Sequence, residues 1–141
     1  MARVNGGMPM PTLLDTHAWV WWVAEDRRLS RRAKSAIEKA QREEALQLSL
    51  ISLWELAKKV EKGQLRLDRP LDVWLDSATT MPGLHLVDLT RPVLVESCRL
   101  PSPLPGDPAD QMIVATARQE GAVLITKDRN LLEYRHIRSL W

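Results

Sequence analysis

Residues 106–128 read GDPADQMIVATARQEGAVLITKD. Two aspartates, Asp107 and Asp110, flank Pro108, and Met112, Ile113, Val114, Ala115 and Ala117 follow. This pattern predicts a helix from 108 to about 120, with Gly121 as its stop. AVLIT, 122–126, then reads as a short strand, branched and apolar on both faces. Such a strand calls for cover on both sides.

The remaining chain repeats this alternation. TLLD, 12–15, is strand-like, and THAWVWWVAED, 16–26, turns helical. Ser30 caps a helix expected to run to about Ala45. ALQLSL, 45–50, alternates like a strand. Ser49 or Ser52 starts the next helix, which Gly63 ends. Pro70 opens a helical stretch, 83–89 is strand-like, and a helix runs from Thr90 to about Cys98. HIRSLW, 136–141, is a candidate last edge strand. Alternating strands and helices imply a parallel sheet covered on both faces. In such sheets functional residues gather beyond the carboxyl ends of the strands.

Four carboxylates fall there. Asp15 ends the first strand, Asp128 lies two residues past AVLIT, Glu55 sits early in the helix after the second strand, and Asp110 opens the helix before AVLIT. Brought together, they would repel and raise one another's pKa. A divalent cation relieves that repulsion. Oxygen donors without a His or Cys cluster favour Mg²⁺ or Mn²⁺ over Zn²⁺. Such an ion equips a site for phosphodiester hydrolysis. Asp107 before Pro108 has the form of an N-cap followed by proline at N1; it is also a further candidate ligand.

The length of 141 residues suits one core, expected over 12–141 behind a short disordered lead at 1–11. That lead has one Arg and no apolar stretch, unlike a secretory signal. No apolar run reaches the roughly 18–20 residues of a membrane helix. One cysteine, Cys98, excludes a disulfide framework, fits a cytoplasmic setting, and is read as a buried thiol. Twenty basic against 18 acidic residues leave a formal charge of +2, too small an excess to announce nucleic-acid binding. Its distribution says more. Arg27, Arg28, Arg31, Arg32 and Lys34 form one cluster, and Lys58, Lys59, Lys62 and Arg66 another. Each reads equally as a solvated helix face. The second follows Glu55 on one helix, so Lys58, Lys59 and Lys62, with Arg129 beside Asp128, are candidates to hold an RNA backbone. Trp19 and Trp22, at i and i+3, are either helical core or an apolar groove for a partner. His17, His85 and His136 read as structural or surface residues, and no Gly-rich phosphate loop is present.

The chain resembles the PIN-domain ribonucleases, specifically the VapC-type toxins of bacterial toxin–antitoxin pairs. The matching pieces are LLDTHAWVWW, SLWELAKKVEKG, GDPADQMIVATA and LITKDRNLLEY, in family order from residue 12 nearly to the end. The resemblance implies a three-layer α/β/α sandwich with a mainly parallel sheet. It implies Mg²⁺- or Mn²⁺-dependent endoribonuclease activity on RNA, a growth-inhibiting toxin neutralised by a cognate antitoxin, and a homodimer. The family's acidic positions match Asp15, Glu55, Asp110 and Asp128, with Asp107 accompanying. Thr16 and Thr126 match small hydroxyl positions beside the site. A His often stands two residues before the Asp-Pro pair; here that position is Pro105. Two other readings stay open. One is a metal-dependent phosphatase of similar architecture, although its paired DxD motif is missing. The other is a non-catalytic PIN-like binding module.

Overall fold

A computed structural model describes residues 9–104 and 106–141. Most of the expected lead, and Pro105, lie outside the described residues. The chain runs β1 (Thr12–Leu14), α1 (Thr16–Val23), α2 (Arg31–Arg42), β2 (Leu46–Ser49), α3 (Leu50–Glu61) and α4 (Leu71–Ala78). It continues through β3 (Leu84–Val87), α5 (Arg91–Ser97), α6 (Pro108–Glu120), β4 (Val123–Ile125), α7 (Arg129–Leu132) and β5 (Arg138–Leu140).

Local signals set most boundaries. Ser30, Ser49, Thr90 and Asp107 each cap a helix with a side-chain oxygen that accepts a backbone N–H. Of the two serines offered for α3, Ser49 is the cap, and Ser52 lies buried inside the helix. Gly121, at φ +62°, ends α6 in the left-handed conformation that needs no Cβ. Two helices stop earlier than their patterns suggest. After α1 the Asp26 N–H returns to the Trp21 carbonyl, and after α2 the Ala45 N–H returns to the Ala40 carbonyl. Glu25 and Glu44 take the left-handed position in these two closures. The four-residue α7 was not foreseen. Asp128 caps it by accepting the Asn130 and Leu131 N–H groups.

The five strands form one sheet in the order β3-β2-β1-β4-β5, and every pairing is parallel. Side chains alternate across it. Leu14 and Ile125 face one core with Trp19, Ile37, Leu56 and Trp74 from α1, α2, α3 and α4. Leu13 and Leu124 face the other core with Ile113, Val114 and Leu131 from α6 and α7. This is the expected three-layer α/β/α architecture. The chain builds outward from β1 to β3, then returns to place β4 on the free side of β1. The order therefore reverses between β1 and β4, and a crevice opens beyond their carboxyl ends.

The burial of two tryptophans corrects one expectation. Trp19 is fully buried and donates its indole N–H to the Ala78 carbonyl at 3.1 Å, while its ring meets Trp74 edge-on. Trp22 is also buried in that core. Both side chains are taken up by that core, so Trp19 leaves no surface and Trp22 little for a partner groove. Cys98 is a second correction. It lies at the C-cap of α5 with its side chain exposed, beyond the reach of either core.

Candidate active site

Asp15 leaves β1 directly into α1. Its Oδ1 accepts the Thr16 N–H at 2.8 Å, capping the helix, and its Oδ2 accepts the Thr126 hydroxyl at 2.7 Å. The side chain is 7% exposed. Burial pushes its pKa up, against the pull of Thr126, the Thr16 N–H and His17; nearby Asp128 adds to the rise. Thr126, at the exit of β4, also accepts the Asp128 N–H at 3.0 Å. One buried hydroxyl thus ties Asp15 to the turn that carries Asp128.

Glu55 arrives from α3. Its Oε1 accepts the Thr16 hydroxyl at 2.6 Å, and Thr16 in turn lies 2.8 Å from the Ser52 hydroxyl. Ser52, Glu55 and Lys59 recur at three- and four-residue spacing, so they share one side of α3. Burial raises the Glu55 pKa, Thr16 opposes the rise, Asp15 and Asp107 reinforce it, and Lys59 lowers it. Asp107 caps α6 through the Ala109 N–H at 2.7 Å. Asp110 follows in the first turn of α6. Burial first, then the charges of Asp15, Glu55, Asp107 and Asp128, push the Asp110 carboxyl up to about 7.

All five carboxylates line a single cleft of about 390 Å³ at the β1/β4 crevice. Lys59 is the one foreseen basic residue among its walls, which also include His17, Trp21 and Lys127. Thr16 and Thr126 lie buried beneath it. Lys58, Lys62 and Arg129 lie outside its lining; Lys58 is paired with Glu61 at 2.8 Å.

Three wall residues were missed. His17 is exposed and its ring centroid lies 5.6 Å from that of Trp21. The Lys127 ammonium and the Arg28 guanidinium stand 5.6 and 4.9 Å from the same indole. Their signal was adjacency: His17 is two residues past Asp15, and Lys127 separates Thr126 from Asp128.

Replacing Thr126 by Val removes both the donor to Asp15 and the acceptor for Asp128 without changing shape. The buried Asp15 oxygen is then unpaired, at a cost of about 1–3 kcal/mol. Chemical denaturation of Thr126→Val beside Thr126→Ser should show that loss in the first variant alone; equal stability of Thr126→Val and the parent would contradict the bridging role.

Five carboxylates face two lysines across the cleft. Without added positive charge this surface repels polyanions. The donor set is hard oxygen, and a divalent cation would offset the like charges that, after burial, raise the Asp110 pKa. Among the described residues no three His, Cys, Asp or Glu side chains are gathered as a direct ligand set. Mg²⁺ is commonly bound directly by only one or two carboxylates, with water completing its shell.

Residues 12–137 match the PIN domain family. Over 126 residues the chain is 42% identical to Ribonuclease VapC22 of Mycobacterium tuberculosis (strain ATCC 25618 / H37Rv), covering 89% of this chain and 93% of that protein. The fold is similar to that in the crystal structure of VapBC2 from Rickettsia felis bound to a promoter DNA fragment. There the TM-score is 0.70 at 18% identity, over 93% of this chain and 98% of that one. DNA-bound VapBC from Salmonella typhimurium gives 0.68 at 20% identity, over 93% and 97%.

Proposed function

The chain belongs to the PIN-domain family, and from that premise we propose that its acidic cleft hydrolyses RNA phosphodiesters with Mg²⁺ or Mn²⁺. It is a VapC-type ribonuclease toxin neutralised by an antitoxin. The observation that carries the site assignment is the convergence of five carboxylates, from four separate segments, on one cleft. The family is typically metal-dependent, and Asp15, Glu55, Asp110 and Asp128 are the residues that would hold the ion, some of them through water, with Asp107 beside them.

When bound, the ion supplies Lewis acidity toward the phosphate and lowers the pKa of water. The protein's own groups do the rest. Thr126 and the Thr16 N–H hold the Asp15 carboxylate in one orientation and favour its charged form. Thr16 does the same for Glu55. The Asp110 carboxyl retains a proton below about pH 7 and releases it when positive charge arrives. Lys59 and Lys127 attract the RNA backbone to the walls. Single-stranded or looped RNA fits best, because the scissile phosphate must reach the cleft floor.

The partners of this reading are an RNA substrate, a cognate antitoxin and a second copy in a homodimer. The similar fold of a solved toxin–antitoxin complex from Klebsiella pneumoniae supports the antitoxin. Among the described residues no helix is long and apolar enough to cross a membrane. Purified protein should cleave single-stranded RNA when Mg²⁺ or Mn²⁺ is added and stop in excess EDTA. Cleavage indifferent to EDTA, or hydrolysis of a small phosphomonoester in place of RNA, would overturn the assignment.

A further inference from the structure

We propose that the apolar recess beside the acidic cleft binds the base of a nucleotide next to the cleaved phosphate, with Trp54 as its stacking platform. This inference rests on the ribonuclease reading above. The recess measures about 370 Å³ between α3 and the start of α6, with Ile51, Trp54, Leu89, Pro108 and Met112 among its walls. Asp107 lines both this recess and the acidic cleft, so the two spaces adjoin.

Trp54 stands apart from the other tryptophans. Three of the six are buried, Trp21 and Trp141 are half-buried, and Trp54 alone is exposed, at 55%. An indole left in water on a wall of an apolar recess offers a π-face to an incoming ring. Its neighbour Glu55 lines the cleft, and Lys59 on the same helix lines it too. Lys58 holds its ammonium 6.0 Å from the Trp54 ring. Cations beside an aromatic face are the pairing that single-stranded nucleic acid uses, the cations on phosphate and the ring on the base. The recess walls are almost wholly apolar, so they sense the presence of a base more than its hydrogen-bonding edge.

Base–aromatic stacking contributes about 1–3 kcal/mol per base, or about 5- to 140-fold in affinity. The test uses full-length Asp15→Asn protein, which should bind RNA without cutting it, with and without Trp54→Ala. Fluorescein-labelled rU, rC and rA heptamers are titrated in Mg²⁺. The tightest is then remade with one abasic residue at each position in turn. Trp54→Ala should weaken the intact heptamer about 5- to 140-fold, and Trp54→Phe far less. One abasic position should weaken binding to Asp15→Asn yet cost nothing more once Trp54 is Ala. No loss with Trp54→Ala, or losses that add at every position, would overturn the subsite. So would a changed molecular mass in light scattering with RNA affinity unaltered, which would assign the recess to a second copy of the chain. Cleavage by the parent protein separates the two failures. If the parent cuts RNA and Trp54→Ala leaves KM unchanged, the subsite alone falls. If no heptamer is bound or cut, the ribonuclease reading falls with it.

Discussion

Asp15→Asn should lower RNA cleavage by on the order of 10²–10³ while leaving the fold intact. Asparagine keeps an oxygen to accept the Thr16 N–H, so the cap on α1 survives. Its amide nitrogen can turn toward Thr126 and donate to that hydroxyl in place of accepting from it. What disappears is a buried negative charge, which the cleft needs for a cation and which burial opposes. Packing around Leu13 and Leu14 is untouched, so melting by circular dichroism should stay within a few degrees of the parent. Initial rates on a quenched fluorescent RNA, measured on the same preparation, give the other half of the comparison. Undiminished cleavage by Asp15→Asn would remove Asp15 from the chemistry.

Asp110→Asn should be equally inactive but more stable than the parent when metal is absent. The Asp110 carboxyl moves from an ordinary 3.8 to about 7 on folding. Below about pH 4 it is protonated in both states and has no effect. Between about 4 and 7 the unfolded chain has released the proton and the folded chain has kept it. The folded state then binds more protons, so stability falls as pH rises through this window. Above about 7 both states are ionised and the full penalty remains. Asparagine carries no such penalty. In EDTA at pH 8, Asp110→Asn should melt about 3–6 °C above the parent, with the gap closing toward pH 4. Mg²⁺ should reverse the order at pH 8, because it stabilises a parent that can bind it. A lower melting temperature for Asp110→Asn in EDTA at pH 8 would show that the cleft does not strain this carboxylate.

Local chemistry carried much of this structure into view. Asp107 before Pro108, Ser30, Thr90 and Gly121 announce helix ends through groups that act within one turn. The branched run ending in Ile125 announces a strand through its own side chains. Other features had no local signal. The four residues of α7 are too few to show a period, and a single Asp128 cap looks the same in a turn. The periodicity of residues 16–23 separates Trp21 from Trp19 and Trp22, but does not say which face meets the sheet. Packing against α4 buries Trp19, while Trp21 is turned to the cleft. Cys98 was misread because a lone cysteine resembles a small core residue until its helix is placed.

The residue order by itself determined that this is an α/β chain with acidic groups just past its strands, because hydrophobic period and capping act over a few neighbours. Only the tertiary structure decided that Asp15 and Asp128, 113 positions apart in number, face one space. That meeting depends on β4 pairing with β1 so that Leu14 lies opposite Ile125. Such a register is set by burial on both faces of the sheet at once, which no short stretch of sequence contains.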